Sequence, residues 1–511
     1  MEINSESLRF ILGIKLKQFR QEKGLSLKDL SGKTGLSVSY LSEIEKGKKY
    51  PKPEKIILLA HGLGRSFDEL VSLQLEDDNN PVTALLNSPV FNEFPLQQFG
   101  ITLTDIFDLV TNTPSKAGAF VRTLLEIGRN YDMEVEHFLL ASLRSYQKMH
   151  MNYFEELEEA ASDFRGEYQD KLAQNQNKSG ITKEFLEEVL EQRFNVKVIY
   201  EDLSGQPGLE SLRSIWVDGP VEKVVVNAKL TNQQRTFALA REIGYRYMNL
   251  KDRPATSSWM KVESFDMVYN NFKVSYFAGA VILPESLLKP ELTELLGQER
   301  WDSDRFVAMM NQYNATPEMF LHRLSQLIPH IFKLKRLHYL RLQNEGGVDS
   351  FHLTKELNTT NIFVPRGIGP NEHHCRRWVS ISLLHELGEQ QKQGKQPNVL
   401  VAAQRSKFMA SGEEFFNIAI ARPLSLDNLN SGMTLGFQID EPFKSKVKFW
   451  NDPEVPQMNV NETCERCPLG ELDGQPKCES RIAPPSILQR RDSQKQREAN
   501  LKSFIAAHQR S

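Results

Sequence analysis

The sequence predicts a multidomain chain, mainly α with α+β portions, and three observations carry that expectation. Its 511 residues and 58.6 kDa exceed what one hydrophobic core organises, at roughly 100–200 residues per domain. Apolar residues recur at three- and four-residue spacing over long stretches, whereas β-rich runs are short and fall within 196–227 and 418–439. Charge is unevenly divided. Between Arg9 and Arg65, 10 Lys and 3 Arg face 5 Asp and Glu, a local +8, so a net charge of −3 leaves −11 elsewhere. A hydrophobic fraction of 40% excludes wholesale disorder. Four cysteines exclude a disulfide scaffold.

The elements follow in order. Residues 8–72 read as a compact helical block, ended by the polar stretch 76–81. Residues 82–170 read as a helical connector, with apolar spacing at 106–110, 120–127 and 138–143, and as the candidate dimerisation region. Residues 171–180 read as a second linker. Residues 181–340 mix helix with strands expected at 196–200, 212–217 and 221–227. Residues 345–488 form a mixed α/β domain that holds the cysteines, with strands expected at 418–421 and 434–439. Residues 489–511 form a charged tail, a solvated helix or disordered. The first 30 residues lack a basic segment followed by an apolar one. The longest apolar run, 277–283, is far below the roughly 20 residues of a spanning helix. The expectation is therefore a cytoplasmic protein, where cysteines serve as metal ligands or redox groups.

Within 8–72, Ser26 and Asp29 form a capping-box pattern that opens a short helix with Leu27 and Leu30 inward. Gly35 supplies a tight turn. Ser37 caps a second helix with Leu41 and Ile44 inward. Two short helices joined this way make a helix-turn-helix, whose second helix presents its N-terminal side chains to the major groove of double-stranded DNA. The local +8 supplies phosphate contacts. The block resembles the lambda-repressor-like (XRE) DNA-binding domains. That resemblance implies base-edge positions at Ser37, Ser39, Tyr40 and Glu43, and phosphate contacts at Lys28, Lys46, Lys48 and Lys49. It also implies a homodimer, or a higher homo-oligomer, on a pseudo-palindromic operator.

Residues 231–245 open with a Thr231/Gln234 capping box and place Phe237, Ala240, Gly244 and Tyr247 on one helix face. The frame is similar to H-E-x-x-H, in which two His bind zinc and Glu activates water. Glu242 is present, but the His positions read Arg241 and Tyr245. Residues 271–284 resemble the second helix of ImmA/IrrE-like metallopeptidases, with Asn271 where an acidic ligand would fall. Residues 181–340 thus resemble a degenerate zincin-like domain with its metal positions lost, and no peptidase activity is expected. Arg241, now where a metal would sit, favours an anion. A second near-match, His385-Glu386-Leu387-Gly388-Glu389, lacks the second His.

Cys464 and Cys467 form a C-x₂-C pair, Cys478 follows after ten residues, and Cys375 lies 89 residues upstream of Cys464. The four could converge on an iron–sulfur cluster or on structural zinc, with His373 and His374 as further zinc ligands. The runs 464–469 and 478–485, with Cys375-Arg376-Arg377-Trp378 and 419–422, resemble the short-chain fatty acyl regulators of PrpR/RamB type. Arg376 stands where that family has Pro, and the loop between Cys467 and Cys478 is longer. The resemblance implies a 4Fe–4S cluster on Cys375, Cys464, Cys467 and Cys478, with zinc as the alternative, and acyl-CoA or CoA as effector. It implies a transcriptional regulator of acetate and propionate metabolism. Arg213, Lys229, Arg241 and Tyr276 are the candidate ligand residues, basic or aromatic groups suited to phosphates and an adenine face. The alternatives are a repressor fused to a zinc peptidase and a phage- or plasmid-type repressor with structural zinc.

Overall fold

The computed structural model describes residues 5–72, 97–100, 135–175, 177–256, 264–346, 348–360, 372–395, 399–468, 478–483 and 485–508. The chain divides into two compact units, residues 1–146 with 261–268, and residues 147–260 with 269–511.

The first unit holds α1 (Ser5–Glu22), α2 (Leu27–Thr34), α3 (Val38–Glu45), α4 (Pro53–Leu63) and α5 (Phe67–Val71). The caps read from the sequence form here. Ser26 and Asp29 close a reciprocal capping box on α2, Ser37 accepts from Tyr40 N at the start of α3, and Gly35 turns the chain at φ 68°. Leu30, Leu41 and Ile44 are fully buried among Leu16, Leu59 and Leu63, while Leu27 is only partly buried. Arg20 on α1 grips Glu45 on α3 at 2.6 and 2.8 Å, so a half-buried guanidinium satisfies a buried carboxylate and ties the two helices together. A helix α6 (Val135–Met149) follows. The connector segments 106–110 and 120–127 and the stretch 76–81 lie outside the described residues.

The second unit begins with α7 (Glu155–Glu167), α8 (Gln169–Leu172) and α9 (Lys183–Phe194). The stretch 171–180, expected as a linker, packs instead. Ile181 and Ser179 are buried, and Asn175 and Asn177 donate to the carbonyls of Gly180 and Ile181. Its polar residues satisfy the backbone of a tight turn, so polarity alone misleads there. A small sheet, β1 (Lys197–Glu201), β2 (Ser214–Val217) and β3 (Lys223–Asn227), runs in the order β1-β3-β2. Behind it lie α10 (Asn232–Tyr247), α11 (Phe265–Ile282), α12 (Glu285–Leu296), α13 (Ser303–Gln312) and α14 (Pro317–Phe332). Residues Ala238 to Tyr245 of α10 are all buried, so this helix is enclosed rather than one-faced as its pattern suggested.

A six-stranded sheet follows in the order β5-β4-β8-β7-β6-β9. Its strands are β4 (Leu337–Glu345), β5 (His352–Asn358), β6 (Leu400–Phe408), β7 (Glu414–Pro423), β8 (Leu429–Gln438) and β9 (Gln457–Val460). Pairing is antiparallel except between β6 and β9. β4 starts at Leu337, inside the range assigned from sequence to the middle domain. The two faces of β7 separate by period 2. Phe415, Ala419 and Ala421 meet α15 (Val379–Lys392), whereas Phe416 and Ile418 border Leu324 and Ile328 of α14. Gly432 on β8 lets α15 approach, since a Cβ there would lie 2.8 Å from Leu384. A short α16 (Glu441–Lys446) precedes β9, and α17 (Pro485–His508) ends the described chain, with residues 496–506 exposed. No helix among the described residues is long and apolar enough to cross a membrane.

Candidate DNA-contact face, anion pocket and cysteine cluster

On the helix-turn-helix, Lys28, Ser37, Ser39, Lys46 and Lys48 are exposed, and Tyr40 and Glu43 are half-buried. Ser37 Oγ is engaged in capping, 3.3 Å from Tyr40 N. The ammonium of Lys55 lies 4.2 Å from the Tyr40 ring centroid and that of Lys49 5.6 Å, and Lys49 also pairs with Glu43 at 2.7 Å. The Tyr40 ring thus has two ammonium groups within about 6 Å of its centroid.

The peptidase-like frame is filled by protein groups. Arg241 donates to Asn271 Oδ1, so two of the degenerate ligand positions bond each other. Glu242 is held by Arg253 through both oxygens at 2.8 Å and by Arg246 at 3.1 Å. The Arg253 guanidinium lies 4.1 Å from the Tyr245 ring centroid. A carboxylate so tied is poorly placed to take a proton from water. His385 is exposed on α15, with Nε2 3.3 Å from Asp349.

A separate cavity of about 150 Å³ lies between this helical layer and the large sheet. Arg213, Gln234 and Phe237 line it, with Ser275 and Gly279 of α11 and Glu318, His322 and Arg323 of α14. Tyr339 and Arg341 of β4, Lys355 of β5 and Arg422 of β7 close it. Arg323 is fully committed to Glu158, at 2.5 and 2.8 Å, and Arg422 to Glu318, at 2.7 and 3.2 Å. Burial alone would push Glu318 up, but Arg422 and Arg341 outweigh it and hold the carboxyl below its ordinary range. Among the described residues, no carboxylate pairs with the side chain of Arg213, Arg341 or Lys355, and Arg341 Nε is buried without a hydrogen bond. Lys355 is exposed at the rim of the cavity, where desolvation and the charges of Arg341 and Arg213 push its ammonium down to about 8. Enclosure and repulsion by Arg341 also lower Arg213. The cavity carries an excess of positive charge: Glu318, its one lining carboxylate, is bonded to Arg422 and acts on Arg341 and Arg213 only through space.

Of the four ligand residues expected from sequence, Arg213 lines this cavity. Arg241 does not, although its charge reaches Arg213. Lys229 is half-exposed and 3.7 Å from Asp202. Tyr276 is 1% exposed, its hydroxyl donates to Glu158 at 2.6 Å, and it does not line the cavity as Ser275 and Gly279 do. The structure therefore takes Lys229 and Tyr276 out of the cavity. It adds Arg341, Lys355 and Arg422, which the sequence reading missed because no strand was expected at 337–358. The alternation Tyr339, Leu340, Arg341, Leu342 was the available signal.

Cys375, Cys464 and Cys467 are buried, Cys478 is half-buried, and none forms a disulfide. Three observations bring them together. Cys464 N bonds His373 O at 2.8 Å, Arg481 donates to Cys467 O at 3.2 Å, and Ile482 N donates to Cys464 Sγ at 3.3 Å. Burial pushes the Cys375 thiol up to about 11, with Cys467 and Cys478 adding to the shift. Arg376 has its own structural use: it donates to His374 O and Asp349 O, tying the Cys375 loop to the segment between β4 and β5. Among the described residues no group of three or more His, Cys, Asp or Glu is set to hold a single metal ion. The four thiols lie on neighbouring segments, and as soft donors they suit iron–sulfur or zinc chemistry, although the described residues do not arrange them around one ion.

Comparison with known proteins agrees with this layout. A helix-turn-helix family model matches residues 16–70, and an IrrE N-terminal-like domain model matches residues 191–325. The HTH-type transcriptional regulator DdrOP3 of Deinococcus deserti is 40% identical over 57 residues, 11% of this chain and 44% of that protein. An uncharacterized HTH-type transcriptional regulator, y4dJ, of Sinorhizobium fredii is 35% identical over 65 residues, 13% of this chain and 84% of that one. The propionyl-CoA carboxylase regulator of Cereibacter sphaeroides is 23% identical over 361 residues, 66% of this chain and 70% of that protein. A solved structure titled Mycobacterium tuberculosis transcriptional regulator has a TM-score of 0.43 at 18% identity, over 67% of this chain and 92% of that one. The chain belongs to the helix-turn-helix transcriptional regulators, with an XRE-type DNA-binding domain ahead of an IrrE N-terminal-like domain.

Proposed function

We propose that this regulator controls genes of short-chain fatty acid metabolism and that its DNA binding responds to an acyl-CoA or CoA whose phosphate enters the cavity of Arg213, Arg341 and Lys355. The observation that carries the reading is three cations around one cavity, none bonded to a carboxylate, with Glu318 the single acidic group in the lining. The 23% identical relative, named a propionyl-CoA carboxylase regulator, supports the metabolic setting. A cavity of about 150 Å³ is below the ≈ 300–1,000 Å³ of sites that enclose a drug-sized ligand, so it takes an anionic end rather than the whole molecule. Arg presents planar donors that match phosphate oxygens. An anion there would favour whichever arrangement of the layer and sheet brings the cations together, which is the differential binding that control requires.

In this reading the IrrE-like domain is not a peptidase, supported by the Arg241–Asn271 bond and by the two arginines on Glu242. Cys375, Cys464, Cys467 and Cys478 hold a 4Fe–4S cluster, which would supply a redox-sensitive electron store. The protein works as a homodimer in the cytoplasm on a pseudo-palindromic operator. Thermal unfolding with propionyl-CoA tests the effector site. Saturating ligand at a hundred times Kd adds about 2.7 kcal/mol, so the melting temperature rises for the unmodified chain and not for Arg341→Ala. Equal rises would reject the cavity as the site.

A further inference from the structure

Lys355 is more than a counter-charge. Register pairing sets it directly across from Arg341 on the neighbouring strand, so both side chains leave the same face of the sheet and line the same cavity, Arg341 half-buried and Lys355 exposed at its rim. No carboxylate pairs with its ammonium among the described residues. A cavity of about 150 Å³ equals the liquid share of about five waters at roughly 30 Å³ each, the size of a molecule with about ten non-hydrogen atoms or fewer. The chemistry gathered there is two unpaired guanidiniums, which bind and neutralise phosphate, beside a primary amine, which is a nucleophile once deprotonated.

We infer that Lys355 is a covalent acylation site, taking a short acyl group from a small acyl phosphate seated on Arg213 and Arg341. The Lys355 Nζ lone pair attacks the carbonyl carbon. The new C–N bond forms as the C–O bond to phosphorus breaks, and phosphate leaves with that electron pair while the amine proton passes to it. The products are an amide at Lys355 and inorganic phosphate, with no oxidant or reductant required. The guanidiniums hold the group on which negative charge grows, so they help in the transition state rather than only in binding. Desolvation at the cavity, with the charges of Arg341 and Arg213, lowers the amine to about 8 and raises its neutral fraction near pH 7.5 on the order of a hundredfold over an ordinary lysine. Acylation removes one positive charge from the cavity and outlasts the departure of the phosphate, so it records exposure to activated acyl groups. The inference rests on the reading that this cavity binds an anion.

The test treats the full-length chain with acetyl phosphate near neutral pH and maps acetyl-lysine by peptide mass spectrometry. Binding of inorganic phosphate is measured in parallel by calorimetry. The expected result is acetylation at Lys355 about tenfold or more above Lys448, whose side chain is 59% exposed. Inorganic phosphate should suppress it, as should Arg341→Gln. If phosphate binds but Lys355 reacts no faster than Lys448, the inference is overturned and the anion-site reading stands. If Lys355 reacts fast but neither phosphate nor Arg341→Gln slows it, the inference is likewise overturned, because the cavity then plays no part. If phosphate does not bind, both fall.

Discussion

Arg341 on β4 and Lys355 on β5 stand directly opposite each other in an antiparallel pair, two cations on one face of the sheet. Like charges so placed destabilise a sheet by roughly 0.2–1 kcal/mol. The residue pair is therefore kept at a cost to the ligand-free protein. Lys355→Gln should stabilise that protein by about 0.5 kcal/mol in urea unfolding and weaken anion binding. The pH dependence has a fixed sign. Lys355 releases its proton near 8 when folded and near 10.5 when unfolded, so the unfolded state holds more protons in between. Stability contributed by this group rises with pH through that window, and Lys355→Gln should flatten the rise. An unchanged profile would place the ammonium away from Arg341.

Glu242 carries a structural load. Removing one partner of a buried ion pair costs about 3–5 kcal/mol, and Glu242 is 5% exposed between Arg246 and Arg253. Glu242→Gln should lower stability by about 3 kcal/mol, with no zinc-dependent proteolysis to lose. A stable Glu242→Gln protein that had lost cleavage of a partner would instead reveal a peptidase.

The two classes of DNA contact separate by salt and by sequence. Lys46 and Lys48 are exposed beyond the end of α3. Each Lys→Ala change should weaken binding about equally on all sequences and reduce the salt slope by about 1. Ser39→Ala or Tyr40→Ala should alter preference among sequences at nearly constant salt slope. The reverse pattern in binding titrations would mean that α3 does not face the bases.

For the cysteines, anaerobic purification followed by iron, sulfide and zinc analysis decides the cofactor. Iron and sulfide near four each per chain, with broad absorbance lost in Cys375→Ser or Cys467→Ser, is the expected outcome. Stoichiometric zinc in a colourless protein would replace the cluster with a structural site.

The N-terminal domain was legible because its information is local. Ser26, Asp29, Gly35 and Ser37 each act within four residues, and the structure forms each cap and turn as read. The degenerate frame was legible for the same reason, since Arg241 and Tyr245 stand one helical turn apart. The cavity was not, because its cations come from positions 213, 341, 355 and 422, and the last three meet only through sheet pairing. Strands β7 and β8 are buried on both faces, and β8 carries Asn430, Ser431, Gly432, Thr434 and Gly436, so neither shows the apolar–polar alternation that marks a half-buried strand. Tyr276 misled for a related reason. An aromatic beside a suspected site reads as a ligand platform, yet its hydroxyl completes the buried Glu158–Arg323 pair.

The most direct test of the account is DNA affinity, measured on a duplex selected in vitro by the full-length chain, with and without propionyl-CoA. The unmodified chain should shift by fivefold or more, within the usual range of about 1–3 kcal/mol for coupled sites. The Arg213→Ala/Arg341→Ala double variant should bind the same duplex with ordinary affinity and show no shift. An equal shift in both proteins, or none in the unmodified chain, would contradict control through this cavity.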